Sequence, residues 1–384
     1  MRGSRRKGRR PGTWELRIDA GLDPLTGRRL QRSLVFEGSA READAKLAEL
    51  TVEAGRGRLQ SGAHTLSELL ERGLEQAASE GLERSTLRGY RRVAENQIAP
   101  ALGSRRITKI TAEDLDTFYR ALAKKGYSAS TIKQTHAVLR RVFDTAVRWR
   151  WIGHNPARDA RPPRVAKPDP VPVPPAVIPV LVEGAARHNP ELAACIVLAA
   201  DTGARRGELC ALRWSKVDLL GAKVRIDRAI GEDGTGAYEK DTKNHQHRTI
   251  TLSPPTLAVL VDHRQRMEQR AAACGAELAA DGFVFSASPD GTVHWWPSNL
   301  DTSFRRLCRR LDLPDSVKLH GLRHTQVTQL LDAGVPLRTV SGRVGHRNSS
   351  TTSNIYSHWI AETDERAAVV IGERIWGQPN EMEP

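Results

Sequence analysis

The segment 320–356, HGLRHTQVTQLLDAGVPLRTVSGRVGHRNSSTTSNIY, gathers His320, Arg323, His324 and His346 in an apolar-patterned stretch that closes on Tyr356. Imidazole and guanidinium groups are costly to bury without partners, so their accumulation here marks a site. His320 and Arg323 are three residues apart and His324 is four from His320, so at a helix start they share one face. The histidine spacing suits two metal ligands. However, Gly321 stands where a metalloprotease helix carries its glutamate, and the intervening arginine repels a cation. An oxyanion fits the set better. Arg323 presents paired planar donors to phosphate oxygens. A second such group, Arg205, lies upstream in DTGARRGEL, after a break at Thr202 and Gly203. Two arginines can neutralise the two non-bridging oxygens of one phosphodiester, the charge stabilisation a metal ion otherwise supplies. Tyr356 offers a nucleophile. Its phenol, with an ordinary pKa of about 10, needs a base. His320 is the candidate, and clustered cations favour the phenolate.

In chain order, TGARRGEL, HGLRH, RVGH and TTSNIYSH resemble the signature boxes of the tyrosine recombinases, the phage-integrase family. Val344 stands where leucine is commoner. The resemblance implies that Arg205 and Arg323 grip the scissile phosphate. It implies that His320 acts as general base or hydrogen-bonds the phosphate, and that His346 hydrogen-bonds a non-bridging oxygen. Tyr356 would attack, giving a 3′-phosphotyrosyl bond and a free 5′-hydroxyl. A lysine on a strand turn would be the general acid for the leaving 5′-oxygen. Within EKDTKNHQHRTITL, Lys243 is favoured by its distance from Arg248, with Lys240 as the alternative. Glu208 would support the arginine box. Arg206 reads as a surface neighbour of Arg205, and His324 as structural. No cofactor and no metal are implied. The implied partners are double-stranded DNA bearing attachment sites and further copies of the chain in a tetrameric synapse. A directionality factor and a host DNA-bending protein would be accessories.

Three blocks must position these groups. The chain opens with a basic arm, MRGSRRKGRRPG. The strands WELRIDA and RRLQRSLVF follow, joined by a turn containing Asp23, Pro24 and Gly27. A helix from Ser39 has Glu42 three residues on, a capping-box pattern. After a linker at 57–63, a helical pattern with many basic residues runs to Asn155. Thr65 with Glu68 suggests a second capping box, and Thr111 can cap the helix containing Asp114. Val138, Leu139, Val142, Phe143 and Ala146 recur at helical spacing. PPRVAKPDPVPVPP reads as a semi-rigid tether. The last block is mostly helical, with strands in KVRIDRAI and HRTITL and a glycine-rich turn, GEDGTG. The expected fold class is multidomain, mainly α with small β-sheets. It comprises an arm-binding module at 1–57, a helical core-binding (SAM-like) domain at 64–158 and a linker at 159–175. A mixed α+β catalytic domain at 176–370 and a tail at 371–384 complete it.

The bulk numbers agree. The chain has 384 residues, enough for two or three domains. Its net charge of +14 favours a polyanionic partner. Cys195, Cys210, Cys274 and Cys308 form no CxxC pair, which argues against structural zinc or a disulfide framework and fits the reducing cytoplasm. No apolar run reaches bilayer length, and the basic start has no apolar h-region of a secretory signal. The expected activity is site-specific DNA recombination, integrating or excising a mobile element. The alternatives are type IB topoisomerase-like relaxation and a catalytically silent DNA-binding regulator.

Overall fold

The structure, a computed structural model, describes residues 3–22, 29–55, 64–165, 171–242, 246–345 and 371. It divides into two units, Met1–Lys167 and Pro168–Pro384.

The first unit opens with an antiparallel sheet of order β1-β2-β3: β1 (Gly3–Lys7), β2 (Thr13–Leu22) and β3 (Arg29–Glu37). Strand β1 corrects the reading of 1–12 as an arm. GSRRK has no apolar alternation to announce a strand, but its backbone pairs with β2 from Gly3↔Ile18 to Lys7↔Trp14. The Arg5 guanidinium lies 4.5 Å over the Trp14 ring and 2.5 Å from Asp44, so one arm residue is structural. Helix α1 (Ala40–Gly55) starts on the expected box: Ser39 N–H donates to Glu42 at 2.8 Å and Glu42 N–H to Ser39 Oγ at 3.3 Å. Leu47 and Leu50 pack on buried Ile18.

Helices α2 (Leu66–Ser79), α3 (Arg84–Val93), α4 (Ala99–Leu102), α5 (Ala112–Lys124) and α6 (Ala129–Arg148) follow, with a π-helical turn at Ala94–Ile98 between α3 and α4. The apolar stripe of α6 is buried as its spacing predicts, with Val138, Leu139, Val142, Phe143 and Ala146 all at 0% exposure. Thr111 and Asp114 cap α5 reciprocally, and Arg105 bonds both Asp114 oxygens at 2.8 and 3.0 Å. The box at α2 is half formed. Thr65 Oγ1 accepts from Glu68 N–H, but the Glu68 carboxylate takes His64 Nδ1 at 2.8 Å instead.

The second unit holds α7 (Val177–Ala186), α8 (Pro190–Thr202), α9 (Arg206–Ala211), β4 (Val217–Asp218), β5 (Lys223–Ile226), β6 (Arg228–Glu232), β7 (Ala237–Asp241) and β8 (Arg248–Thr251). The helices α10 (Pro254–Ala273), α11 (Pro297–Arg310), α12 (Leu319–Asp332) and α13 (Leu337–Val344) complete it. Strands β4, β5 and β8 form one sheet, and β6 and β7 a separate hairpin closed by the glycine-rich turn. KVRIDRAI is therefore two strands, not one. The chain changes partner at Asp227, whose carboxylate takes Arg225 at 3.1 Å and Lys216 at 3.4 Å. The alternation of β5 breaks there, with Arg228 exposed and Ala229 and Ile230 both buried.

The tether is shorter than its proline content suggests. Ala157 and Ala160 join the core around α6, because the 3₁₀ turn Pro156–Arg158 folds back on that helix. At the other end Val173 is 1% exposed in the core of the second unit. Its N–H donates to Gly321 at 3.4 Å, and its carbonyl accepts from Thr325 Oγ1 at 2.6 Å.

Candidate active site

The T-G-x-R segment is a helix end, a glycine and a helix start. Helix α8 stops at Gly203 in the left-handed region, φ 60°. A Cβ there would overlap Gln326 Oε1, so glycine is needed for conformation and for space. Ala204 follows, and Arg205 caps α9. Its backbone N–H and its Nη1 each donate to Glu208 at 2.9 Å, and its Nη2 donates to the Gly345 carbonyl at 3.1 Å. Gly345 ends α13 with φ 69°.

HGLRH opens α12. Arg323 is 3% exposed and its Nη1 donates to the Gly203 carbonyl at 2.6 Å. The two arginine boxes are thus joined through one main-chain oxygen. His320 lies one turn nearer solvent, exposed, and meets half-buried His324 edge to face with centroids 4.9 Å apart. Ala204, Arg205, Arg206, Asp301, Leu319 and His320 line one open cleft of about 310 Å³. Arg206 is ion-paired with Asp301 of α11, so it forms the cleft wall as well as a surface.

Two kinds of effect set protonation here. Desolvation, then Arg323, Arg205 and Arg206, pull the His320 imidazole below its ordinary pKa and favour the neutral base. Desolvation, His320 and Arg323 lower His324 to about 4. Burial pushes the Glu208 carboxyl up. Arg248 first, then Arg205, outweigh it, so the group is held below the usual carboxylate range.

Arg205, His320 and Arg323 are therefore brought together. Lys243, His346 and Tyr356 lie outside the described residues. The chain leaves α13 at Gly345, directly before His346. Lys243 falls in the connection from β7 to β8, not at the tip of the glycine-rich hairpin. Lys240 is on β7, its Nζ 5.7 Å from the Tyr238 ring centroid.

Sequence reading missed Arg248, which it noted merely as the basic residue opening a strand. Arg248 is buried, and its Nη2 donates to Glu208 at 2.6 Å across 40 positions of chain. No short motif links such distant residues. Arg343 was also missed. Its Nη2 holds the Asp201 carboxylate at 3.0 Å and ties α13 to the end of α8.

Two family patterns match the chain. The pattern described as "Phage integrase family" covers residues 176–362, and "Phage integrase central domain" covers 68–162. The chain is 29% identical over 288 residues to a XerC-like tyrosine recombinase of Caldanaerobacter subterraneus subsp. tengcongensis, spanning 70% of this chain and 72% of the relative. It is 27% identical over 381 residues to an integrase of Streptomyces ambofaciens, spanning 93% of this chain and 92% of that one. Among solved structures, the Tn1549 transposon integrase with transposon right end DNA shares the fold at a TM-score of 0.66 and 22% identity, covering 81% of this chain and 99% of that one. A lambda integrase dimer bound to a core site gives 0.58 at 16% identity, covering 91% and 93%. The chain belongs to the phage integrase family of tyrosine recombinases.

Proposed function

We propose that this protein is a site-specific DNA recombinase, the integrase of a mobile element, cutting and rejoining DNA through a 3′-phosphotyrosyl intermediate. The observation that carries the reading is that Arg205 and His320 line one cleft while buried Arg323 is tied to the Gly203 carbonyl two residues before Arg205, both guanidinium groups braced on main-chain carbonyls. Such donors are fixed before the substrate arrives and so stabilise charge without reorganisation. Arg205 and Arg323 bind the non-bridging oxygens of the scissile phosphate. Tyr356 attacks phosphorus and forms the ester bond. His320, kept neutral, accepts the phenol proton or holds the phosphate, and His346 donates to a non-bridging oxygen. The bond to the 5′-oxygen breaks as Lys243 protonates it. The second strand is rejoined by the reverse steps, so no cofactor or metal enters the balance.

Residues 1–57 serve as arm-type DNA-binding module, 64–158 as core-binding domain, 176–370 as catalytic domain and 371–384 as tail. Each active site cuts one strand, and joining two duplexes requires four cuts, so four protomers act on paired attachment sites. A directionality factor and a host DNA-bending protein would bias the outcome. No helix among the described residues is long and apolar enough to cross a membrane. A cytoplasmic location belongs to this same proposal.

The test is covalent trapping on a nicked suicide substrate in excess EDTA. Wild type is expected to accumulate adduct and Tyr356→Phe to bind DNA without forming any. Adduct from the phenylalanine variant, or a strict magnesium requirement, would overturn the assignment. A bridging 5′-sulfur leaving group needs no proton. It should rescue Lys243→Ala; rescue of Lys240→Ala alone would move the general acid to that residue.

A further inference from the structure

Two buried charged side chains, Glu208 and Arg248, meet at Arg205 of the cleft wall. Glu208 Oε1 takes Arg205 Nη1 at 2.9 Å, while Oε2 takes the Arg205 backbone N–H at 2.9 Å and Arg248 Nη2 at 2.6 Å. The Glu208 and Arg248 side chains are 1% and 6% exposed, against 27% for Arg205. The Arg205–Glu208 pair alone is neutral. A buried carboxylate facing one guanidinium in a low dielectric would hold it and weaken its pull on a phosphate. With Arg248 added, two guanidinium groups face one carboxylate, and the trio keeps one positive charge.

Arg248 also touches the entrance to the histidine box. Its Nε donates to the Arg343 carbonyl at 2.9 Å. Its Nη1 is buried with no hydrogen-bond partner among the described residues, and a Cβ on Gly345 would come within 3.0 Å of it. The Gly345 carbonyl is the acceptor for Arg205 Nη2. One side chain at the start of β8 therefore reaches the arginine box and the turn leading to His346.

We infer that Arg248 is a positioning residue for strand cleavage: it offsets the Glu208 carboxylate, so that Arg205 presents an unspent positive charge to the phosphate. This rests on Arg205 being a phosphate ligand. Full-length variants are assayed for single-turnover adduct formation, half-site binding and thermal unfolding. Arg248→Gln is expected to slow adduct formation about a hundredfold with half-site affinity unchanged. Adding Glu208→Gln removes the unbalanced carboxylate and should restore about tenfold of that loss, a coupling that a packing role would not produce. A double variant no faster than Arg248→Gln overturns the inference, as does wild-type cleavage by Arg248→Gln. If the glutamine variant does not fold, Arg248→Lys decides. Retained charge should keep cleavage within about tenfold of wild type, and a hundredfold loss at an unchanged melting temperature overturns the inference. Wild-type adduct formation by Arg205→Ala would defeat the reading of Arg205 itself, and the inference with it.

Discussion

The block around α6 and the block around α9 and α12 use charge in opposite ways. Among the described residues of the helical block the buried polar side chains, Thr135, Thr145 and Asn155, are neutral, and its charges sit at caps and surfaces, as with Asp114 and Arg105. The second unit buries Glu208, Arg248 and Arg323 beside its apolar core, together with His263 at 0% exposure. A core built for stability needs no such groups, since apolar residues of similar volume often serve as well or better. The contrast fits the proposed function, in which Glu208, Arg248 and Arg323 are retained for the phosphate site.

The strongest way to break that comparison is Arg323→Met. We expect single-turnover cleavage to fall about 10³-fold, with the thermal midpoint unchanged or raised. A large drop in midpoint would show that the buried arginine holds the fold. Phe143→Ala should do the reverse. Emptying this fully buried site in α6 should cost about 3–5 kcal/mol of unfolding free energy in urea titrations, without altering cleavage by the DNA-bound fraction.

Acid titration sharpens the comparison further. Burial lowers the His263 pKa to about 4. Its Nε2 contacts the Val284 carbonyl at 2.7 Å, and a proton on buried Nδ1 would find no acceptor among the described residues. A lowered histidine pKa means that the unfolded chain binds the extra proton. The stabilisation is therefore complete above about pH 6.5 and lost as pH falls towards 4, a change of about 3 kcal/mol. Tryptophan fluorescence melts across that window should show the slope, and His263→Phe should flatten it. The smallest effect belongs to a helix cap. Asp114→Asn should cost about 1 kcal/mol, read as a shift in the urea midpoint.

Local signals were legible in sequence. The stripe of α6, the box at Ser39, the cap at Thr111 and the pairing of Arg205 with Glu208 all depend on residues within one or two helical turns. Long-range pairing was not legible. Strand β1 is held by backbone bonds to β2 that GSRRK does not advertise. The split at Asp227 and the burial of Val173 follow from partners far along the chain. Arg248 meets Glu208 only because the tertiary fold brings the start of β8 within side-chain reach of α9, and nothing near either residue announces it.

Arg205 and Arg323 each lean on a glycine carbonyl, at positions 345 and 203. A side-chain acceptor can be deleted by one codon change; a main-chain oxygen is present whatever residue is encoded. Mutation can reach these two acceptors only by displacing them, through a residue that cannot adopt φ near 60–70°. The anchor points of the two arginines, and of the phosphate grip proposed for them, are therefore inherited with the backbone, and drift in the surrounding sequence leaves them in place as long as both glycines remain.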